Sequence, residues 1–275
     1  MPVQRIGHAD DPRVADYIGV KDPALVKQRG LFIAESRLVV RRLFDSGRYR
    51  VRSLLLHDAS AAGLDDLITA AGDTVEVFVA PIDVIRAVSG FNLHRGCLAL
   101  AERPVDRTME EVLAASGFLV VVERLADADN VGLVFRSAEA LGVDAVLLSP
   151  GTCDPYYRKA VRTSAGATLQ LPFAAAAPWP EAIARLRREG FVVAALTPAP
   201  DAIAIGDFVA GLIPGGKVAL LLGTEGLGLT PEAFALSDVR VRIPMTGAVD
   251  SLNVGTAAAI AMHRVYERRA AAASR

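Results

Sequence analysis

The chain has 275 residues, 52% of them hydrophobic and 22% charged, with a formal net charge of −1, two cysteines and four histidines. This length and apolar content support a sizeable core, in one large domain or two ordinary ones, and the near-zero charge excludes a protein that holds nucleic acid by bulk cationic attraction. Cys97 and Cys153 are too few for a disulfide framework or a four-cysteine zinc site, and the histidines show no metal-ligand spacing, so the expectation is a metal-free protein. The N-terminus has no basic region followed by an apolar run, and no apolar stretch approaches the ~20 residues that cross a bilayer, which predicts a cytoplasmic protein without a membrane partner.

Asp10, Asp11 and Pro12 read as a helix start. From Pro23 the pattern alternates between a short helix to Arg29, a strand over 31–35, a helix from Ser36 to Phe44 closed by Ser46 and Gly47, and a strand over 51–57. A helix of small residues from Ser60 to Ala71 follows, then a strand over 74–80, a helix opened by Pro81, and a strand over 97–101 entered from a turn holding His94 and Arg95. Strands separated by short helices imply βαβ units around a sheet, and thus a compact α/β domain. Between Pro23 and Arg52 eight basic residues face two acidic ones, Glu35 and Asp45. Such an excess suits either a solvated helix face or an RNA surface; Arg37, Arg41, Arg42, Arg48 and Arg50 are taken as the RNA contacts.

Pro104 and the charges of Glu102 to Arg107 break the apolar pattern, which predicts domains over 1–102 and 103–275. In the second, a helix from Met109 to Ala115 leads to a strand over 118–123, apolar as parallel strands buried on both faces tend to be. A polar loop then brings Asn130 to the start of a helix running to Ala140, which carries Arg136. A strand over 144–149 follows. The segment from Cys153 to Ala167, with Tyr156, Tyr157, Arg158, Lys159 and Arg162, has the composition of an RNA-facing loop and equally of a dimer surface, and precedes a strand over 168–173. A helix over 179–190 and a strand over 191–197, ending in Thr197 and Pro198, complete this stretch.

The part between Val218 and Tyr266 holds the candidate site. A strand over 218–222 runs into a glycine turn, Gly223 to Leu229, and a strand over 239–243 runs into a loop, Pro244 to Asp250, before Ser251, Leu252 and Asn253 open an alanine-rich helix. Ligands sit at the carboxyl ends of strands in open α/β sheets, and Gly223, Gly226 and Gly228 let backbone approach a flat ligand. Glu225 is either a cap for the helix that Thr230 and Pro231 start or a functional carboxylate.

Three stretches carry a resemblance: Asn130, Gly132, Arg136 and Ala138 in the first, Gly223, Glu225, Gly226 and Gly228 in the second, and Pro244, Met245, Gly247, Ser251, Leu252, Asn253 and Val254 in the third. In this order they resemble the SpoU family of the SPOUT superfamily, RNA methyltransferases that use S-adenosylmethionine and mostly modify ribose 2′-hydroxyls. Thr224 and Gly255 depart from the family pattern, which usually has Asn and often Ser there. The resemblance implies an N-terminal α/β domain like ribosomal protein L30e that holds rRNA or tRNA, a C-terminal SPOUT α/β domain with a trefoil knot, and a homodimer. It implies Asn130, Arg136, Glu225, Ser251 and Asn253 as catalytic residues. Thr197, Gly223, Thr224, Glu225, Gly226, Ile243, Met245, Ser251, Leu252 and Asn253 are the implied donor contacts. His94 and Arg95 are read as a surface turn in preference to an RNA contact. The alternative is an RNA-binding module of the same fold whose methyltransferase site has decayed, against which the intact motif residues count.

Overall fold

The computed structural model describes residues 3–18, 22–58, 65–89 and 96–273. Two compact units result, Met1–Val105 with Pro155–Gln170, and Asp106–Asp154 with Leu171–Arg275. The break falls inside the expected linker, but Pro155–Gln170, expected in the second domain, packs with the first unit.

The first unit is built on a mixed sheet of β1 (Gln4–Arg5), β2 (Leu31–Glu35), β3 (Val51–His57), β4 (Glu76–Ala80) and β5 (Cys97–Glu102), in the order β1-β4-β3-β5-β2. β4 pairs in parallel with β1 and β3, while β5 runs antiparallel to β3 and β2. Helices α1 (Arg37–Asp45), α2 (Asp65–Ala71) and α3 (Ile82–Ser89) cover it. The Ser36 hydroxyl caps α1 by accepting from Val39 N at 3.5 Å, and Val39, Val40 and Leu43 turn its apolar face inward. Asp11 opens a 3-10 turn over Pro12–Tyr17, where hydrogen bonds from Arg13 hold its carboxyl down at about 2. The expected start of α2 at Ser60 and the turn with His94 and Arg95 lie outside the described residues.

The second unit contains α4 (Met109–Ala114), β6 (Phe118–Val122), α5 (Ala128–Ala140) and β7 (Ala145–Leu148). The chain then enters α6 (Arg158–Thr163) and α7 (Ala167–Gln170) of the first unit. It returns through β8 (Phe173–Ala175), α8 (Glu181–Arg188), β9 (Phe191–Leu196), β10 (Ile203–Ala204), α9 (Ile205–Ala210), β11 (Lys217–Leu222), α10 (Pro231–Leu236), β12 (Val239–Arg242) and α11 (Val254–Ala273). The seven strands lie in the order β10-β12-β9-β11-β6-β7-β8, every neighbouring pair parallel. All five residues of β6, and Val218 to Leu222 of β11, are buried, as central parallel strands covered on both faces must be. Fully burying each Val, Leu or Phe there contributes about 1.5–3 kcal/mol.

Residues 168–173, expected as a strand, instead close α7 and reach β8 only at Phe173. Ser164 Oγ accepts from Thr168 N at 3.4 Å and Gly166 takes φ 85°, so local capping outweighs the β-propensity of this stretch. Asn130 is the third residue of α5 rather than the one before it, and α11 begins at Val254, after the expected Ser251.

Candidate active site

The carboxyl ends of β9, β11 and β12 and the start of α11 enclose a cavity of about 450 Å³. β9 contributes Leu196, Thr197 and Pro198; β11 and its turn contribute Leu222, Gly223, Thr224, Glu225, Gly226 and Gly228. β12 and its loop add Val241, Ile243, Met245 and Asp250, and the start of α11 adds Ser251, Leu252, Asn253, Val254 and Ala257. The structure thus brings all ten residues read as donor contacts to one cavity, whose size is that of a small-molecule site. Among the described residues no group of His, Cys, Asp and Glu is placed to hold a metal ion.

The glycine turn folds back on itself. Gly228 N donates to Thr224 O at 2.9 Å, with Gly226 at φ 80° and Gly228 at φ 67°. Gly223 is glycine for a different reason: a Cβ there would lie 2.2 Å from the carbonyl carbon of Gly228. The turn is anchored by Glu123, which sequence reasoning missed. This carboxylate, 1% exposed, accepts from Trp179 Nε1 at 2.9 Å and Thr230 Oγ1 at 2.8 Å through Oε1, and from Thr230 N at 2.8 Å through Oε2. Thr230 in turn caps α10 by accepting from Ala233 N, so the cap that Glu225 was one candidate for is supplied by Thr230 and Glu123. A carboxylate closing an otherwise apolar strand was the available signal, since a buried charge demands partners.

Asn253 joins the three motifs. Its Oδ1 accepts from Gly255 N at 2.9 Å and Thr256 N at 3.2 Å, capping α11. Its Nδ2 donates to Asn130 Oδ1 at 2.9 Å and to Glu225 Oε1 at 2.6 Å. Asn130, 6% exposed, is fixed in turn by Asp127, whose Oδ1 accepts from its backbone N at 3.1 Å. The Asn253 side chain has no hydrogen-bonding capacity left over, and it orients Glu225 and Asn130. Ser251 is exposed on the cavity wall. Arg136, the ninth residue of α5, is exposed, lies outside the cavity lining, and makes no hydrogen bond or ion pair among the described residues.

α5 and α11 approach closely at Gly255, where a Cβ would meet Leu133 Cβ at 2.8 Å. Serine, the other residue of the family pattern, does not fit here without displacing Leu133. Gly255→Ala is expected to destabilise the protein by about 1–3 kcal/mol, and Leu133→Gly, which removes the clashing Cβ, to recover part of that loss in the double variant. Denaturant titration of the four proteins checks this; additive losses would separate the two residues energetically.

In the first unit the five arginines read as RNA contacts are not equally available. Arg37 Nη2 donates to Asp66 Oδ1 at 3.1 Å and Arg41 pairs with the same carboxylate. Arg50, 81% exposed, lies 3.5 Å from Glu102, which also takes Arg52. Arg48 lies over the Tyr49 ring at 5.7 Å, and the main-chain oxygen of Arg42 accepts from Gln170 Nε2 at 2.9 Å. Asp66 and Glu102, from outside the basic segment, therefore offset part of its positive excess. Tyr156, read as part of a loop, is 2% exposed and stacks on Phe32 at 5.0 Å.

Residues 117–263 match the SpoU rRNA methylase family. A Mycobacterium tuberculosis protein named as an uncharacterised tRNA/rRNA methyltransferase is 40% identical over 272 residues, 98% of this chain and 92% of that one. The Bacillus subtilis 23S rRNA (guanosine(2553)-2′-O)-methyltransferase RlmP is 25% identical, covering 96% of this chain and 99% of its own. The crystal structure of an AdoMet-bound rRNA methyltransferase from Sinorhizobium meliloti superposes with a TM-score of 0.79 at 23% identity, over 96% of this chain and 98% of that one, and shows the same α/β SPOUT fold. With a family match over more than half its length and a 40% identical relative along nearly all of it, the chain belongs to the SpoU rRNA methylase family and is an RNA methyltransferase.

Proposed function

We propose that the protein transfers a methyl group from S-adenosylmethionine to a ribose 2′-hydroxyl of ribosomal or transfer RNA. The observation that carries this is the Asn253 side chain, which ties Asn130 and Glu225 together at the mouth of the cavity. The cavity fits the donor: apolar Leu196, Ile243, Met245 and Leu252 suit an adenine, glycine backbone allows close approach, and the carboxylates of Glu225 and Asp250 complement a sulfonium. When bound, the donor supplies an electrophilic methyl. A guanidinium offers donors and no acceptor, so the unpaired side chain of Arg136 stabilises the charge that develops on the attacking oxygen rather than taking its proton.

The remaining features follow the same reading. The first unit holds RNA, the second forms a homodimer and a trefoil knot, and the protein works in the cytoplasm; among the described residues no helix is long and apolar enough to cross a membrane. Exposed ion pairs contribute ~0–1 kcal/mol, so Asp66 and Glu102 yield their arginines to phosphate at little cost. Replacing Arg41, Arg42, Arg48 and Arg50 together by Ala is expected to weaken RNA binding and lower its salt slope, by less than one unit per residue because these carboxylates already offset part of the charge. An unaltered slope returns these arginines to a solvated face.

The activity is tested by mass-spectrometric mapping of ribose methylation in RNA incubated with the protein and S-adenosylmethionine, with and without a chelator. Methylation of a base alone, or loss on chelation, rejects the reading. The dimer has its own test. If Arg136 serves the partner's cavity, Arg136→Ala and Asn253→Ala proteins, each inactive, regain roughly a quarter of wild-type activity after joint refolding, because about half the dimers are mixed and each mixed dimer has one intact site. Activity that stays at the single-variant level in confirmed mixed dimers assigns both residues to one chain's site.

A further inference from the structure

Arg124 follows the central strand β6 and adopts φ 54°, a left-handed conformation that disfavours every side chain and suits glycine. Its neighbours impose it. Before it, Glu123 is 1% exposed, donates its N to Leu222 O at 2.8 Å, and holds Trp179 and Thr230. After it, Leu125 is 2% exposed and its carbonyl accepts from Cys153 N at 2.8 Å. Between these anchors, Arg124 N donates to Oγ of the buried Ser149 at 2.9 Å. The main chain is therefore fixed on three sides while the side chain is exposed, with no hydrogen bond or ion pair from its guanidinium among the described residues. Nearby acids do not claim it: Asp127 is engaged with the backbone N–H groups of Asp129 and Asn130.

The position is close to the chemistry. Val122 pairs with Leu222, the residue before Gly223, so Arg124 leaves the sheet one strand, ~5 Å, from the glycine turn. It also lies in the loop that delivers Asn130 to Asn253 and then Arg136. Strained backbone that holds an unpaired charged side chain at a site's edge points to a ligand for that charge. We infer that Arg124 binds a backbone phosphate of the RNA strand that flanks the methylated nucleotide, an inference that rests on the RNA-methylating reading above. Two guanidinium groups, Arg124 and Arg136, would then follow one strand across the carboxyl edge of β6, the first for binding and the second for the reaction.

Arg124→Gly is the informative variant because it removes the guanidinium while suiting the left-handed backbone. The probe is deproteinised bulk ribosomal RNA, with bulk transfer RNA in parallel, titrated at several KCl concentrations against full-length protein. The expected result is RNA binding weaker by about tenfold and a salt slope lower by roughly 0.7–0.9 unit, with unchanged S-adenosylmethionine affinity and a melting temperature no lower than wild type. Arg124→Lys should restore the slope, and turnover at saturating RNA should be unchanged in Arg124→Gly, unlike Arg136→Ala. RNA affinity and slope equal to wild type overturn the inference, and so does a joint loss of donor affinity, which would mark a structural role. Failure of wild-type protein to bind or methylate either RNA would instead reject the RNA-methylating reading itself.

Discussion

Gly223→Ala protein is expected to show no S-adenosylmethionine binding by calorimetry and to melt far below wild type. The added Cβ would lie 2.2 Å from the carbonyl carbon of Gly228, 2.4 Å from Leu229 N and 2.5 Å from Gly228 O, all of them backbone atoms. No side chain can rotate away, so one arm of the turn must shift by about 1 Å, and the turn forms a cavity wall. Overpacking that side chains can absorb costs about 1–3 kcal/mol; here the loss should reach or exceed the upper end. Gly226→Ala is the control: its Cβ would have nothing within 4 Å, so only its φ of 80° resists, at about 1–2 kcal/mol. A Gly223→Ala protein that binds the donor as tightly as Gly226→Ala would show that the turn is more pliable than its backbone contacts imply.

Two substitutions at Asn253 separate its roles. Asn253→Ala removes the cap of α11, about 1 kcal/mol, and leaves the buried Asn130 Oδ1 without its donor, about 1–3 kcal/mol more. Displacement of Glu225 and Asn130 by even 1 Å should lower turnover by at least about 100-fold. Asn253→Asp keeps an acceptor for Gly255 N and Thr256 N, but sets a second carboxylate where Nδ2 now lies 2.6 Å from Glu225. Like charges that close raise the pKa of one partner above its unfolded value. The penalty is therefore present above that raised pKa and is relieved as pH falls through it, so Asn253→Asp should gain stability on acidification relative to Asn253→Ala. Parallel melting curves from pH 8 to pH 5 decide it; identical slopes for the two variants would mean that Glu225 swings free.

Much of the second unit was legible because parallel central strands write long apolar runs and glycine turns interrupt them. That gave β6, β9, β11 and β12 and the loops that meet at the cavity. What stayed hidden depends on partners distant in sequence. Glu123 reads as the polar end of a strand until Trp179 and Thr230 are seen to converge on it. The basic segment reads as free charge until Asp66 and Glu102 fold against it. Tyr156 reads as a loop residue although it is buried against Phe32 and Tyr49. β10 has two residues and carries no periodicity to recognise. Asn253 was recognisable as a motif residue, but its saturation is a matter of geometry alone.

The strand order has a consequence for how the protein is made. β11 lies between β6 and β9, yet Lys217–Leu222 follows Phe118–Val122 by some ninety residues of chain. While the ribosome is still extending that interval, β6 has a bare hydrogen-bonding edge and β9, once made, has two, because its other neighbour, β12, comes later still; both strands are apolar. Exposed edges of this kind pair with whatever strand is offered. The nascent second unit is therefore most open to misassociation during that interval, and the arrival of two late strands, β11 between β6 and β9 and then β12 between β9 and β10, commits it to its fold.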